Sequence, residues 1–255
     1  MRGLALVAHE FRYDQKQFWR NPAAVFFTVM FPVLLLVIFN LLFGDETIEG
    51  LGVSVSTYYV PAIITLAVIT ATAQTLAISL TRDRETGLLK RVRGTPLPPW
   101  VFIAGRVGNA LVISALMLIV LSVIGRIAYG VTIPTGNLGA VILTLAVGAA
   151  SFCCIGFALT GAIPSQEAAP PIVNAALLPL YFISGIFVPE DEIPSGVLRF
   201  ADAFPIRHFF EAFFSAWDPN STGGGLEPGQ LAIVLGWGVA ALAAALLTFR
   251  WEPRH

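Results

Sequence analysis

The sequence predicts an all-α membrane protein with six transmembrane helices and one amphipathic helix before them. Hydrophobic residues make up 56% of the 255 residues and charged residues only 12%, whereas soluble domains carry charge at about a quarter of their positions. The mean hydropathy is +0.78. The apolar residues fall into six segments, each close to the ~20 residues that a helix needs to cross a bilayer. We therefore expect residues 1–255 to form a single transmembrane domain.

The first predicted element, residues 1–21, is an amphipathic helix. Its apolar side chains recur near one face and its charged side chains near the other. The apolar face ends in Phe18 and Trp19, just before the first span. A charged helix with an aromatic edge beside a span is typical of the membrane interface, and we expect this helix to lie there. Packing against a soluble protein is the alternative.

Six apolar segments are the predicted spans. They comprise residues 23–43, 59–80, 99–124, 138–163, 170–188 and 229–249. The second carries several threonines and Gln74, which predicts that it does not face lipid all round. In the third, we expect Arg106 to extend to the head groups. In the last, Gly236, Ala240 and Ala244 recur every four residues, a pattern that permits close helix contact or reflects only the high alanine content.

The distribution of lysine and arginine predicts the topology. Eleven of the 15 basic residues lie in the N-terminal segment, in the loop 82–97 and at the C-terminus. These regions fall on one side of the membrane if there are six spans. By the positive-inside rule, both termini and this loop are cytoplasmic, and the segment 189–228 is extracytoplasmic. We expect a multi-pass protein of the bacterial cytoplasmic membrane.

The loop 82–97 has the pattern of a short helix. Asp83 is a predicted N-cap, and Glu85 in the first turn complements the helix dipole. Basic residues including Arg91 follow toward the other end, where Gly94 stands at a C-cap position. So short a helix is unstable alone, and its apolar side chains require a surface to dock on. The alternative is an ordinary loop that carries only the positive-inside signal.

This loop, from Arg82 to Leu97 and followed by Trp100, resembles the cytoplasmic loop of ABC transmembrane type-2 permeases, whose pattern is R-E-x-x-G-x-L-x-x-L-x-x-T-P-L. The resemblance implies six spans and a coupling helix that sits in a groove of a separate ATP-binding subunit. Val92 and Arg93 depart from the pattern around its second leucine. On this resemblance, the residues that contact the ATPase are Arg84, Glu85, Thr86, Gly87, Leu88, Leu89, Arg91 and Pro96.

A second segment of interest precedes the last span. Aromatic residues from Phe209 to Trp217 are spaced for one face of a helix too short to cross the membrane, with Pro205 at its start. Such a helix is typical of the outer leaflet, and it resembles the short re-entrant helices of the outer gate in this family. The predicted gate residues are Phe187, Pro205, His208 and Phe209. His208 either titrates near neutral pH or is structural.

The sequence contains no G-x-x-x-x-G-K-[ST] motif for nucleotide binding. No span has an acidic residue near its middle, which a proton-coupled carrier would usually need. We therefore expect the chain to bind no cofactor and no metal itself, with ATP and Mg on the separate ATP-binding subunit. The net charge of -1 and the lack of a basic tail give no indication of nucleic acid binding. The expected partners are that subunit, a second copy of this chain and the lipid bilayer.

The resemblance implies a non-catalytic permease subunit of an ATP-driven exporter, acting as a homodimer on a drug, a lipid or a lipid-linked glycan. Polar residues of the second and fifth spans are expected along the cargo path. These are Thr72, Gln74, Asn174 and Ser184. Gln74 alternatively forms only a hydrogen bond to a neighbouring helix. The other possible functions are a self-sufficient carrier or channel, a membrane anchor for an ATPase, and a membrane-embedded enzyme, for which no H-E-x-x-H or G-x-S-x-G motif is present.

Overall fold

The computed structural model describes residues 2–44, 46–48, 52–95, 97–218 and 221–249. Within these ranges the chain is almost entirely helical, which confirms the all-α class. The helices are α1 (Arg2–Trp19), α2 (Pro22–Val25), α3 (Phe31–Phe43), α4 (Val55–Ile69), α5 (Thr75–Glu85), α6 (Leu88–Arg93), α7 (Pro99–Tyr129), α8 (Leu138–Ala162), α9 (Ala169–Ile183), α10 (Ser195–Ala201), α11 (Pro205–Trp217) and α12 (Pro228–Thr248). Two short strands, β1 (Thr47–Ile48) and β2 (Val53–Ser54), pair antiparallel between α3 and α4.

Five helical segments within the described residues are long and apolar enough to cross a membrane. They are Pro22–Phe43, Val55–Glu85, Trp100–Tyr129, Thr135–Ala162 and Pro228–Thr248. The shorter α9 is also apolar. At ~1.5 Å per residue, the 31-residue segment Val55–Glu85 is about 47 Å long, which exceeds the ~30 Å hydrocarbon core of a bilayer. Its last turns therefore lie beyond the apolar layer.

Two of these segments contain a π-helical turn. One turn, Phe26–Met30, joins α2 to α3, and the other, Thr70–Gln74, joins α4 to α5. Single π turns inside α-helices are frequent at functional sites. The hydroxyl oxygen of Thr28, in the first turn, lies 3.4 Å from that of Thr75, which directly follows the second. The two widened turns thus lie side by side.

The centre of the bundle is α4, because 14 of its 15 residues are buried. It contacts α3, α7, α8 and α11. This surrounding protein confirms that the second span does not face lipid all round. In contrast, the carboxyl-terminal end of α3 leaves Leu41 and Leu42 exposed, as expected for a helix at the periphery.

The last helix, α12, lies along α8. Its contact includes Gly238, Ala241 and Ala245, and a Cβ atom on Gly238 would lie 2.7 Å from the hydroxyl oxygen of Ser151. The row that contains Gly236 is exposed instead, so it is not the face of α12 that packs on α8. The small residues in the buried row let α12 approach α8 closely, and close van der Waals packing of this kind drives helix association in lipid.

The helix α9 ends at Ile183, five residues before the predicted end of the fifth span. Gly185 then adopts a φ of +86°, in the left-handed region that glycine tolerates. The hydroxyl of Tyr58 donates to the carbonyl of Gly185, and that of Tyr59 donates to the carbonyl of Phe187 at 3.0 Å. The two tyrosine hydroxyls supply hydrogen bonds that backbone N–H groups would supply if the helix continued. The chain can therefore turn after α9 without leaving these carbonyls unpaired.

Candidate functional site

The loop 82–97 begins as a direct continuation of α5. Asp83 and Glu85 lie in the last turn of α5, so the prediction of Asp83 as an N-cap and of Glu85 in a first turn is wrong. Between Pro61 and Gly87 the sequence has no glycine or proline, and the helix therefore continues to Glu85. Gly87 has a φ of +73°, a left-handed conformation that glycine adopts without steric cost. After this turn, α6 runs to Gly94, its predicted C-cap.

Arg84 joins this loop to another spanning helix. Its side chain is fully buried, and its guanidinium donates to the backbone carbonyls of Thr160 at 2.9 Å and Ile163 at 2.7 Å, and to Glu85 at 2.7 Å. The last four carbonyls of an α-helix lack partners within it. The N–H of residue 164 would be the next donor, but Pro164 has none. Arg84 therefore caps α8, where its charge also complements the helix dipole.

One side of α6 packs against the bundle. Leu89 is fully buried in an apolar cluster with Phe102 and Phe157. Arg84 and Leu89, both predicted to contact an ATPase, thus contact this chain itself, because one caps α8 and the other fills the space beneath α6. Five other predicted docking residues are partly or fully exposed: Glu85, Thr86, Gly87, Leu88 and Arg91. Pro96 lies outside the described residues.

Arg106 joins three helices at the end of the bundle that carries the loop. It is 6% exposed. Its Nε atom lies 3.3 Å from Asp14 on α1, and its Nη2 atom pairs with Asp83 on α5. The prediction that Arg106 extends to the head groups is wrong, because two buried carboxylates hold the guanidinium inside the chain. Burial raises the pKa of Asp14 to about 6, although Arg106 opposes this shift.

Two of the four predicted cargo-path residues contact each other. The amide of Gln74 donates to the side-chain oxygen of Asn174 at 2.9 Å, which connects the π turn after α4 to α9. Gln74 is partly exposed and Asn174 exposed. Thr72, in the same π turn as Gln74, and Ser184, just after α9, are buried. Each donates its hydroxyl to a backbone carbonyl three or four residues earlier, at 2.6 and 3.5 Å. Gln74 and Asn174 therefore form a polar pair at the surface of two apolar helical segments.

The aromatic helix before the last span is α11, which begins at Pro205. Its aromatic face is buried within the bundle, where α11 contacts α4, α8 and α12. Phe209 is fully buried against Gly148, and a Cβ atom at that glycine would overlap its ring. Phe187 lies in the turn after α9, held through its carbonyl by Tyr59. In this structure, α11 is thus packed by the chain's own helices.

A polar network surrounds the first turn of α11. Nδ1 of His208 lies 2.5 Å from the side-chain oxygen of Gln230, and Nε2 lies 2.8 Å from the carbonyl of Asp202. The amide of Gln230 donates to Glu211, so its oxygen faces His208. Both imidazole nitrogens therefore lie within hydrogen-bond distance of polar groups of this chain. Arg207 pairs with Glu211 at 2.5 Å. His208, Gln230, Glu211 and Arg207 thus form one connected polar network that links α11 to α12.

Residues 5–217 of the chain match the family model described as ABC-2 type transporter. The chain is 24% identical over 152 residues to the probable multidrug ABC transporter permease YbhR of Escherichia coli (strain K12), a stretch covering 60% of this chain and 41% of YbhR. It is 29% identical over 194 residues to the daunorubicin resistance ABC transporter permease protein DrrB1 of Streptomyces coeruleorubidus, covering 73% of this chain and 66% of that relative. The chain thus spans less than half the length of YbhR. Residues 5–217, which the family model matches, include the loop 82–97 and α11.

Proposed function

Because the chain belongs to the ABC-2 type transporter family, we propose that it is the membrane subunit of an ATP-driven exporter and that a separate ATP-binding subunit docks on its loop 82–97. Its relatives carry the names of multidrug and daunorubicin resistance permeases. In this proposal, the loop and both termini face the bacterial cytoplasm, and the partner holds ATP and Mg. The observation that carries the proposal is the form of α6, an exposed basic helix fixed to the bundle along one side.

The proposed docking surface is the outer side of α6. Leu89 holds the helix from within, while Thr86, Lys90 and Arg91 are exposed. Exposed cations can pair with acidic side chains of a partner and set its orientation. Because the other side of α6 is buried against the bundle, a partner that moves α6 also moves the helices on which α6 packs.

Three attachments would carry such a displacement into the spans. Arg84 links the base of α6 to α8. Arg106 links Asp83 to α1 and α7. The helix α5 itself continues through its π turn into the central α4. A partner can shift the chain between two conformations that differ by a few kcal/mol if it binds one of them more tightly by that amount. These three links would transmit the effect of the partner's binding to the centre of the bundle.

We propose that cargo moves along the face that carries Gln74 and Asn174, between two copies of this chain. Exposed polar groups within apolar segments are costly against lipid, which favours a face covered by protein or cargo. Leu178 and Phe182 follow Asn174 at four-residue intervals and are 51% and 49% exposed. They share its helical face. This mixture suits a hydrophobic or amphiphilic cargo, such as a drug, a lipid or a lipid-linked glycan.

A photo-crosslinking amino acid in place of Arg91 tests the docking step. In cells that retain the native neighbours of the chain, we expect a crosslink to a protein with a P-loop, identified by mass spectrometry. The same amino acid in place of Ile127 is the matched control. Ile127 is 81% exposed but lies near the other end of α7, and it should capture no ATPase.

Transport by the chain together with the captured ATPase in proteoliposomes completes the test. Flux of a fluorescent amphiphile should require ATP and both proteins. Equal flux without nucleotide, by the chain alone, would contradict the proposal and favour a self-sufficient carrier or channel. ATP hydrolysis by the complex without any flux would instead favour the membrane-anchor function.

A further inference from the structure

A basic groove lies where α1 meets the first span. Its volume is about 540 Å³, and its lining includes Lys16, Arg20 and Arg82. Within the described ranges, Lys16 and Arg20 form no ion pair. Arg82 lies 3.8 Å from Asp83, whose carboxylate already pairs with Arg106. The groove therefore presents positive charge that this part of the chain leaves largely uncompensated, and such charge attracts an anion.

A recess of about 50 Å³ adjoins this groove and shares Gln17, Asn21 and Arg82 with it. Its wall carries three oxygen atoms that have no hydrogen-bond partner among the described residues: Oδ2 of Asp14, Oε1 of Gln17 and Oδ1 of Asn109. Asp14 is only 4% exposed. An unpaired buried acceptor is costly and calls for a ligand or solvent donor. Nε of Arg106, which also lines the recess, has no hydrogen-bond partner in the described part of the chain either. The recess is thus suited to a small polar group that donates hydrogen bonds to the three oxygens beside this guanidinium.

Apolar surface continues from the groove along the first span. Pro22 lines the groove and is also the first residue of that span. Beyond it, Phe26, Phe27 and Met30 are 43%, 55% and 47% exposed. Trp19, at the end of α1, is 49% exposed, and tryptophan is enriched where hydrocarbon meets head groups. An amphiphile therefore fits this location better than a soluble anion, which has no apolar part.

We propose that the groove and recess bind one membrane phospholipid, with its phosphate against Lys16, Arg20 and Arg82 and a hydrogen-bond-donating terminal group in the recess. The acyl chains then lie along Phe26 and Phe27. Phosphatidylethanolamine offers an ammonium and phosphatidylglycerol offers hydroxyls, so both meet the requirement. Phosphatidylcholine has the phosphate but no N–H or O–H donor. The bound lipid fills the space between α1, α5 and α7, and this site does not depend on the proposed transport function.

Native mass spectrometry of the full chain tests the proposal. The protein is exchanged into an equimolar mixture of phosphatidylethanolamine, phosphatidylglycerol and phosphatidylcholine before measurement. We expect each of the first two lipids to be retained about tenfold more than the third, as one or two buried hydrogen bonds allow. The double variant Lys16→Ala/Arg20→Ala should lose most retention of all three. Gln17→Leu should reduce only the preference for the first two lipids over phosphatidylcholine, because the cations of the groove still bind the phosphate of all three.

Arg12→Ala is the matched control, since Arg12 is an exposed cation on the same helix outside both cavities. It should retain lipid as the unchanged chain does. If Gln17→Leu does not fold, Asn109→Ala removes another recess acceptor and should give the same loss of preference. Equal retention of the three lipids would contradict the role of the recess in binding the terminal group. Undiminished retention in the double variant would contradict the role of Lys16 and Arg20 in binding the phosphate. Displacement of lipid by inorganic phosphate at equal concentration would show a phosphate site and overturn the lipid proposal.

Discussion

Nη2 of Arg84 donates a 2.7 Å hydrogen bond to the backbone carbonyl of Ile163, 79 residues further along the chain. The donor lies at the base of the loop 82–97, and the acceptor lies at the carboxyl end of α8. One guanidinium thus completes the hydrogen bonding of one helix while fixing the start of another segment. The loop and α8 are consequently expected to move together.

Replacement of Arg84 by alanine should lower stability by about 2 to 6 kcal/mol, because two buried carbonyls each lose a donor at a cost of about 1 to 3 kcal/mol. Arg84→Lys should recover only part of this loss, since an ammonium lacks the fork that reaches both carbonyls. Thermal unfolding in detergent measures the effect. Lys90→Ala, which removes an exposed cation from the same loop, is the control. Equal unfolding temperatures for Arg84→Ala and Lys90→Ala would contradict the capping role.

Gly87→Ala should cost about 1 to 2 kcal/mol through the left-handed backbone, since nothing lies within 4 Å of the added Cβ atom. Gly130→Ala, at the other end of α7, has a φ of +68° and the same open surroundings, so it should cost as much. We expect ATP-dependent flux to fall in the first variant only, because only Gly87 orients α6. Similar flux in both variants, at similar unfolding temperatures, would remove the support for a role of Gly87 in coupling.

Gly148→Ala should destabilise the chain by about 1 to 3 kcal/mol through overpacking, because the added Cβ atom overlaps the buried ring of Phe209. Phe209→Leu removes part of that ring and leaves a small cavity. The double variant should be more stable than the sum of the two single changes predicts, which a double-mutant cycle on unfolding free energies measures. Simple additivity would show that the two residues do not contact each other in the membrane.

Asp14 should make stability depend on pH. Its pKa is raised from 3.8 to about 6 in the folded chain, so the folded chain binds this proton more tightly than the unfolded chain does. Its contribution is present below about pH 4 and is lost as the pH rises through about 6, a change of about 3 kcal/mol. Asp14→Asn lacks this contribution. Unfolding curves of the two proteins between about pH 4 and 7 should therefore diverge, and parallel curves would contradict the raised pKa.

A second copy of the chain should approach the face of α9 that carries Asn174. With Cys153 and Cys154 replaced by alanine, Leu178→Cys should form an intermolecular disulfide under mild oxidation, visible as a dimer on a non-reducing gel. Leu246→Cys, at an even more exposed position on α12 (79%), should remain monomeric. Crosslinking at both positions would indicate random collision, and crosslinking at Leu246 alone would place the interface on α12.

Local sequence chemistry predicted several boundaries well. Gly94 ends α6 and Pro205 begins α11, as expected for a residue that closes a helix and one that opens it. Composition and apolar length predicted the all-α class in the same way. These features depend on residues within a few positions of each other, so the sequence carries their cause directly.

Contacts between distant residues were not predictable in this way. Asp83 was interpreted from its neighbours as an N-cap, but its partner is Arg106, which lies on α7 and also pairs with Asp14. The sequence contains one indication that a side chain such as Arg84 must cap α8. Pro164 directly follows the end of α8 and leaves a carbonyl without its donor, but the sequence does not say which of many cations supplies the replacement.

The π turn at Phe26–Met30 has a consequence for the order of residues around the helix axis. A π turn holds about one residue more than the α-helical turn it replaces, and each residue corresponds to about 100° of rotation. Deletion of one residue there would restore a regular α-helix and turn the preceding chain by that angle. Asp14, Lys16 and Arg20 would then swing away from Arg106 and Arg82 as one block. The angular phase of the first span is therefore set by a single surplus residue, and a one-residue deletion in Phe26–Met30 should be far more damaging than one in the connection Thr222–Gly225.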